Sequence, residues 1–303
     1  EEIVAAQGAL RARVLFLQDA IESPAKPFVV VLGGAKVSDK IGAISRLLPK
    51  ADHIIVGGAM AYTFLKALGQ DVGESRVEAD RINDAKKMIE QAADLGAHLH
   101  LPVDHVCSTQ FAAHSGDIEV FEDKIKPGYM GLDIGPRTQS NFASVIRDAK
   151  SVVWNGPMGV FEWTAFSVGT KQVAKAVAEA TGKGAVTIVG GGDTAAAVEK
   201  FGLADQVSHV STGGGASLAM LEGKALRAVD LLDHVADGDG RQPGRGRDCA
   251  RARRRHRLRL LVPGGLGAVA CGAADRSLPA VQGLPAGREA DAGGPARGDG
   301  AAV

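Results

Sequence analysis

The strongest constraint on the fold lies at residues 186–198, where a short apolar run passes through three glycines into an alanine-rich segment. The β-branched residues of 186–189 favour a buried strand. Gly190, Gly191 and Gly192 lack a Cβ, so a bulky anion can approach the backbone closely there. The first amides of the following helix are unpaired donors at the positive end of its dipole. This stretch therefore predicts a strand–turn–helix unit that binds phosphate.

Asp193 and Thr194 follow the glycines directly. A carboxylate at an anion site needs a cation between the two charges, so Asp193 suggests Mg²⁺ carried in by a nucleotide. The alternative is that Asp193 or Thr194 only caps the helix N-terminus. This stretch by itself leaves both interpretations open.

The same pattern recurs, which favours a parallel sheet. Apolar runs reach glycine turns at 29–36, 54–59 and 210–216, and more loosely at 152–157. Parallel strands of this kind end at one edge, where open α/β sheets bind their ligands. Alternating β and α patterns predict an α/β fold, a Rossmann-like parallel sheet with helices on both faces.

Local patterns predict the element bounds. Strands are expected at about 28–32, 53–56, 98–106, 151–154, 186–189 and 207–210. Helices are expected to end at 22 and to cover about 59–68, 79–95, 138–149, 165–181, 194–200 and the residues from 216. Ser38 is predicted to cap a helix that carries Ile41, Ile44, Leu47 and Leu48 on one face. Residues 108–128 are expected to form a polar excursion with a turn at Pro127 and Gly128.

Composition limits the class of protein. A chain of 303 residues allows one large domain or two small ones. No stretch is long and apolar enough to span a bilayer. Cys107, Cys249 and Cys271 are isolated, so disulfides are not expected and a reducing cytoplasm fits. The histidines, including His53, His98, His100 and His105, lack metal-ligand spacing and are interpreted as packing residues.

The net charge of zero conceals two unlike segments. Residues 236–303 hold 12 Arg, no Lys and 7 acidic residues, so this tail carries +5 and residues 1–235 carry −5. A segment of mainly Gly, Ala, Arg and Pro cannot build a specific core, so disorder is predicted. One interpretation is a nucleic-acid-binding tail centred on 251–257. The favoured alternative is an out-of-frame translation of GC-rich coding sequence, which makes a nucleic-acid partner unlikely.

Six ordered motifs carry a family resemblance. They are Gly33-Gly-Ala-Lys-Val-Ser-Asp-Lys-Ile41, Leu101-Pro-Val-Asp104, Met130-Gly-Leu-Asp-Ile-Gly-Pro136, Trp154-Asn-Gly-Pro-Met-Gly-Val-Phe-Glu162, Gly190-Gly-Gly-Asp-Thr194 and Ser208-His-Val-Ser-Thr-Gly-Gly-Gly-Ala216. Over about 13–235 the chain closely resembles the C-terminal, nucleotide-binding half of phosphoglycerate kinase. The resemblance implies a partial interdomain helix at 1–22 and a nucleotide-binding domain at 23–235.

The resemblance also implies the ligands and the residues that bind them. ATP or ADP and Mg²⁺ are the expected cofactors, with Asp193 as the metal ligand. Lys40 resembles the lysine on the nucleotide phosphates, and Lys36 the lysine that meets the transferring phosphoryl, with Gly191 and Gly214 beside it. Glu162 resembles the residue that binds the ribose. The remaining implied nucleotide contacts are Gly33, Ala35, Gly58, Gly131, Pro157, Gly159, Val160, Gly190, Gly192, Thr194, Gly213 and Gly215.

The two lysines are four residues apart, which would place both heads on one helix face if the helix begins early enough. The family's phosphoglycerate-binding N-terminal domain has no counterpart in residues 1–12. Phosphoglycerate is therefore expected as a partner only where such a domain is supplied. A monomer located in the cytoplasm is expected by the same resemblance.

Overall fold

The computed structural model describes residues 20–211 and 213–224. All of them lie in the first of the chain's two units, Glu1–Gln242. The interpretations of residues 1–19 and 225–303, including the tail, Cys249 and Cys271, lie outside the described residues. No helix of the described part is long and apolar enough to cross a membrane.

A six-stranded parallel sheet forms the centre of the described fold. The strands are β1 Phe28–Leu32, β2 His53–Val56, β3 His98–His100, β7 Ser151–Asn155, β8 Val186–Gly190 and β9 His209–Ser211. They run in the order β3-β2-β1-β7-β8-β9, and every neighbouring pair is parallel. Counted within this sheet the order is 3-2-1-4-5-6, which is that of the Rossmann fold. The predicted parallel sheet is confirmed.

Helices connect the strands. Residues 20–22 are helical, in agreement with a helix that ends at 22. The α-helices that follow are α1 Ile41–Leu47, α2 Ala61–Ala67, α3 Ile82–Asp94, α4 Pro136–Arg147, α5 Val168–Gly182, α6 Gly192–Lys200 and α7 Gly214–Leu221.

The core lies on both faces of the sheet, as predicted for a doubly covered parallel sheet. All five residues of β1 are buried, and alternate ones point to opposite faces. Val30 and Leu32 belong to a cluster with residues of α1, α2 and α3. Val29 and Val31 belong to a second cluster with residues of α4, α5 and α6.

A second sheet was not anticipated. Residues 98–106 do not form one strand, because β3 ends at His100 and a new strand, β4 Asp104–Ser108, joins a different sheet. β4 pairs antiparallel with β5 Ile118–Glu122 and with β6 Met130–Ile134. The stretch 108–128 thus contains a strand as well as the predicted turn at Pro127 and Gly128. Pro102 falls between the two strands and cannot donate to a ladder, which is consistent with the break.

Two predicted helix starts are wrong. Ser38 does not cap α1: the helix begins at Ile41, and the Ser38 hydroxyl donates to the Glu78 carboxylate at 2.8 Å. Neither Asp193 nor Thr194 caps α6, because the helix begins at Gly192 with Gly191 as its N-cap residue. The capping interpretation of Asp193 is therefore excluded.

Candidate nucleotide-binding site

The candidate site lies at the carboxyl edge of the parallel sheet, where the strand order reverses between β1 and β7. Open α/β sheets bind ligands at such a switch point. The loops after these two strands are joined by backbone hydrogen bonds. Gly33 N donates to Asn155 O at 3.0 Å, and Gly34 N donates to Pro157 O at 2.9 Å. These bonds hold the two walls of the crevice together.

A cleft of about 440 Å³ opens beside this edge. Several residues that the sequence assigned to nucleotide binding line it together: Ala35, Gly58, Gly131, Pro157, Gly159, Val160, Glu162 and Asp193. Gly33, Lys36, Lys40, Gly190, Gly191, Gly192 and Thr194 are not in its lining. Gly33, Lys36 and Lys40 belong to the loop after β1, and the other four residues span the end of β8 and the start of α6 at the same edge of the sheet.

Gly131 and Tyr62 meet at the apolar end of the cleft. A Cβ on Gly131 would lie 1.8 Å from the Tyr62 hydroxyl oxygen, so no larger residue fits there. Tyr62 is buried, and burial raises the pKa of its phenol well above the usual value. The family resemblance implied Gly131 as a nucleotide contact. The space that its missing side chain leaves is filled by Tyr62, which becomes part of the wall.

Asp133 is a buried residue of the same wall. Its carboxylate accepts hydrogen bonds from Gly169 N at 2.7 Å and from Ile134 N at 2.9 Å. Burial raises the pKa of Asp133 to about 7, although these backbone donors favour the ionised form. The bond to Gly169 ties β6 to the first turn of α5.

Phe111 is a cleft residue that sequence reasoning missed. It lies in the loop after β4, lines the cleft and is 65% exposed. Its ring packs against that of Trp163, with centroids 4.7 Å apart. An aromatic residue in a polar segment was the available signal, since aromatic groups are enriched at interfaces.

The glycine turn after β8 brings the start of α6 to the same edge. Gly191 has φ of +98°, a conformation that side-chain-bearing residues rarely adopt. Thr194 is buried, and its hydroxyl oxygen accepts a hydrogen bond from Gly156 N at 2.7 Å. Asp193 lies in the first turn of α6 and is exposed, and its side chain makes no hydrogen bond to another described residue. Its carboxylate is thus available to a ligand.

Asn155, the last residue of β7, is the second residue that sequence reasoning missed. Its side chain is buried, and its Nδ2 has no hydrogen-bond partner in the described structure. A Cβ on Gly191 would lie 3.4 Å from that nitrogen, so the amide faces the glycine turn. A buried donor without a partner costs free energy, and an anion bound at the turn would remove that cost.

Lys40 lies next to Asn155, whose Oδ1 accepts a hydrogen bond from the lysine Nζ. Burial lowers the pKa of Lys40, and the nearby carboxylates of Asp39, Asp193 and Glu222 oppose that shift. Lys36 is exposed. Both lysines precede α1, so the condition for their sharing one helix face, an early start of the helix, is not met. They belong instead to the irregular loop of residues 33–40.

The remaining predicted residues lie in two other segments that follow strands of the sheet. Gly213 is the N-cap residue of α7, with Gly214 and Gly215 in its first turn, at the carboxyl end of β9. Glu162 is exposed at the rim of the cleft. The Lys200 ammonium holds this segment by donating to the carbonyls of Phe161 at 2.9 Å and Glu162 at 3.1 Å.

The donor set suits Mg²⁺ that arrives with a nucleotide. Within 20–211 and 213–224, no group of three or more His, Cys, Asp or Glu side chains could hold a metal ion. Asp193 offers one free carboxylate, and Mg²⁺ commonly takes one or two carboxylates together with phosphate oxygens and water. Asp193 therefore fits as the protein ligand of such an ion.

Fold and site together define a doubly wound α/β domain of the Rossmann type with a crevice at its switch point. The family model described as phosphoglycerate kinase matches residues 3–224. The chain belongs to the phosphoglycerate kinase family.

Individual relatives agree with this membership. The phosphoglycerate kinase of Thermosipho africanus is 57% identical over 222 residues, which are 73% of this chain and 55% of the relative. That of Clostridium novyi is 54% identical over 223 residues, 74% of this chain and 55% of the relative. The chain thus spans about half the length of the curated relatives it matches.

Solved structures agree as well. The phosphoglycerate kinase of Coxiella burnetii superposes with a TM-score of 0.70 at 45% identity, over 75% of this chain and 58% of that one. The enzyme of Pyrococcus horikoshii superposes with a TM-score of 0.64 at 30% identity, over 74% and 56% of the two chains.

Proposed function

We propose that this chain carries the MgATP/MgADP site of a phosphoglycerate kinase. The reaction would transfer a phosphoryl group from 1,3-bisphosphoglycerate to ADP, giving 3-phosphoglycerate and ATP in glycolysis. The observation that supports the site most directly is the buried Asn155 Nδ2, which has no hydrogen-bond partner in the described structure and faces the glycine turn at Gly191. Family membership supports the reaction.

Lys40 and Asn155 would bind the nucleotide phosphates from one side, and the amides of the glycine turn from the other. Lys40 offers a compact positive charge with three donors. Asn155 offers a donor that is already desolvated and fixed by burial, so little free energy is needed to order it. The first amides of α6 add donors at the positive end of a helix dipole.

Asp193 would hold Mg²⁺ together with the phosphate oxygens, and the ion would neutralise part of their charge when bound. The adenosine would occupy the cleft, with Pro157, Gly159 and Val160 along one wall and Glu162 at the ribose hydroxyls. Gly131 and the neighbouring Tyr62 would form its inner end. The cleft volume of about 440 Å³ is in the range of small-molecule pockets.

Lys36 would act at the transferring phosphoryl group, together with the turns at Gly191 and Gly214. Phosphoryl transfer depends mainly on in-line positioning and on neutralisation of charge. A nucleophilic side chain is therefore not required of this chain. Exposed Lys36 has the freedom to follow the charge as it moves between donor and acceptor oxygens.

The 303 residues by themselves are expected to bind nucleotide without turnover, because the phosphoglycerate site of the family lies in a part of the protein that they do not match. A second candidate is a non-catalytic nucleotide-binding module. This candidate is supported by the observation that the chain matches only 55% of the relative's length. Addition of the missing half as a separate chain distinguishes the two, since only the kinase would then form ATP.

Calorimetric titration of the chain with MgADP tests the nucleotide site. We expect a dissociation constant between micromolar and millimolar, or about −4 to −8 kcal/mol. Absence of binding to folded protein at millimolar MgADP would refute the proposal. Magnesium-free ADP serves as the control and should bind more weakly.

A further inference from the structure

The loop of residues 33–40, called here the lysine loop, is held from outside by one carboxylate. Glu78 lies just before α3, and its Oε2 accepts hydrogen bonds from the backbone amides of Val37 and, at 3.1 Å, Ser38. Its Oε1 accepts the Ser38 hydroxyl at 2.8 Å. A single side chain about 40 residues away in sequence thus satisfies three donors of the loop.

Glu78 is itself held in place. Its backbone N donates to the Thr63 hydroxyl oxygen at 3.1 Å, and Thr63 is buried within α2. Desolvation opposes the charge of Glu78, but the hydrogen bonds from Ser38 and Val37 and the charge of Lys36 outweigh it. The pKa of Glu78 consequently lies below its usual value. The ionised carboxylate is therefore the form that fits this environment.

The hydrogen bonds continue from Glu78 to Lys40. Val37, whose amide donates to Glu78, accepts hydrogen bonds at its carbonyl from Lys40 N at 2.8 Å and Ile41 N at 3.1 Å. The Val37 side chain is fully buried in the core. Glu78 therefore fixes the turn that sets the backbone position of Lys40. Lys36 precedes this turn directly.

We propose that Glu78 is a positioning residue for nucleotide binding, which orders the lysine loop so that Lys40 and Lys36 meet the phosphates. The inference rests on the proposed function. Glu78 does not line the cleft, so it acts through the loop and not on the nucleotide. Loss of its acceptors would leave the Val37 and Ser38 amides without partners and allow the loop to take other conformations.

The test compares ligands with and without phosphates. In the full chain, Glu78→Ala is expected to lower the affinity for MgADP about five- to tenfold. This factor lies in the range of the interaction free energies between residues that share one hydrogen-bond network. Adenosine should bind as it does to the unsubstituted chain, because the only lysine-loop residues that line its cleft are Gly34 and Ala35, which precede the turn at Val37 and Ser38 that Glu78 holds. Glu78→Gln should bind MgADP within about twofold of the unsubstituted chain, because the amide oxygen can accept the backbone donors while its NH₂ donates to the Ser38 hydroxyl. Exposed Glu90 on α3 provides the matched control, Glu90→Ala.

A double-mutant cycle assigns the route of the effect. In a Lys40→Met background, Glu78→Ala should change MgADP affinity less than about twofold, because the group it positions is gone. Unchanged MgADP affinity in Glu78→Ala, or an equal loss for adenosine, would overturn the positioning role while the proposed function stood. Absence of MgADP binding by the unsubstituted chain would instead refute the proposed function, and the positioning role with it.

Discussion

Replacement of Lys40 by methionine is expected to remove most of the phosphate affinity while leaving the fold intact. Methionine keeps the aliphatic stem and removes the charge. In the structure the ammonium is half-buried, and it donates to Asn155 Oδ1. Burial lowers the pKa of Lys40, so its charge lowers the stability of the free protein at neutral pH. Removal of this charge is offset by the cost of leaving the buried Asn155 Oδ1 without its partner, so thermal unfolding of Lys40→Met should occur near the temperature of the unsubstituted chain.

The loss of affinity follows from the charge of the group. A hydrogen bond between an ammonium and a phosphate contributes about 1.5–3 kcal/mol. Lys40→Met should thus raise the dissociation constant of MgADP by about tenfold to 150-fold. Asn155 Oδ1 loses its partner as well. Because this loss destabilises the free and the nucleotide-bound protein alike, it contributes little to the change in binding free energy.

Calorimetry with Lys36→Met as the matched control provides the assay. Lys36 is exposed, and its substitution should weaken MgADP by less than about threefold, typical of a surface charge. In a chain that also carries the phosphoglycerate-binding half, Lys36→Met should lower kcat by about 10²–10³. Equal losses of MgADP affinity in the two variants, or none in Lys40→Met, would refute the assignment of roles.

Further predictions concern the metal, the histidines and the cleft. Asp193→Asn should lower the affinity for MgADP but leave the affinity for magnesium-free ADP unchanged, as measured by titration with and without the ion. Equal losses of affinity for the two ligands would contradict the role of Asp193 as metal ligand. Burial and the neighbours His53 and His98 lower the pKa of His100 to about 4, so the folded state resists a proton that the unfolded chain binds below about 6.5. As the pH falls from 6.5 to 4, the lowered pKa of His100 should reduce the free energy of unfolding by about 1–2 kcal/mol, a figure that allows for the partial exposure of this side chain. Urea unfolding at both pH values should show that the free energy of unfolding falls less in His100→Gln than in the unsubstituted chain. An equal fall in the two proteins would contradict this role of His100. Phe111→Ala should lower the affinities for adenosine and for MgADP by the same factor. A loss of affinity for MgADP alone would contradict the placement of Phe111 at the adenosine end of the cleft.

The parallel sheet could be predicted because its signal is local and repeated. Strands such as β1 are apolar throughout, and each of several leads into a glycine turn at the same edge. The antiparallel sheet lacked such a signal. Four of the five residues of β5 are exposed, so its sequence resembles a polar loop, and only its pairing with β4 makes it a strand.

The glycines and lysines of the candidate site were predictable from motifs, whereas the groups that hold them were not. Ser38 has the residue type of a helix cap, but the Glu78 carboxylate outcompetes the helix for its hydroxyl. Asn155 reads as a polar residue after a strand. Its missing partner becomes visible only when β7 and the turn at Gly191 are brought together.

Amide hydrogen exchange with and without MgADP tests the location of the site most directly. We expect added protection in the lysine loop and at residues 156–162 and 190–195, all at the carboxyl edge of the sheet. No change is expected at the amino edge around His53 and His98. Protection at the amino edge, or an unchanged pattern at the carboxyl edge in the presence of saturating MgADP, would contradict the placement of the nucleotide.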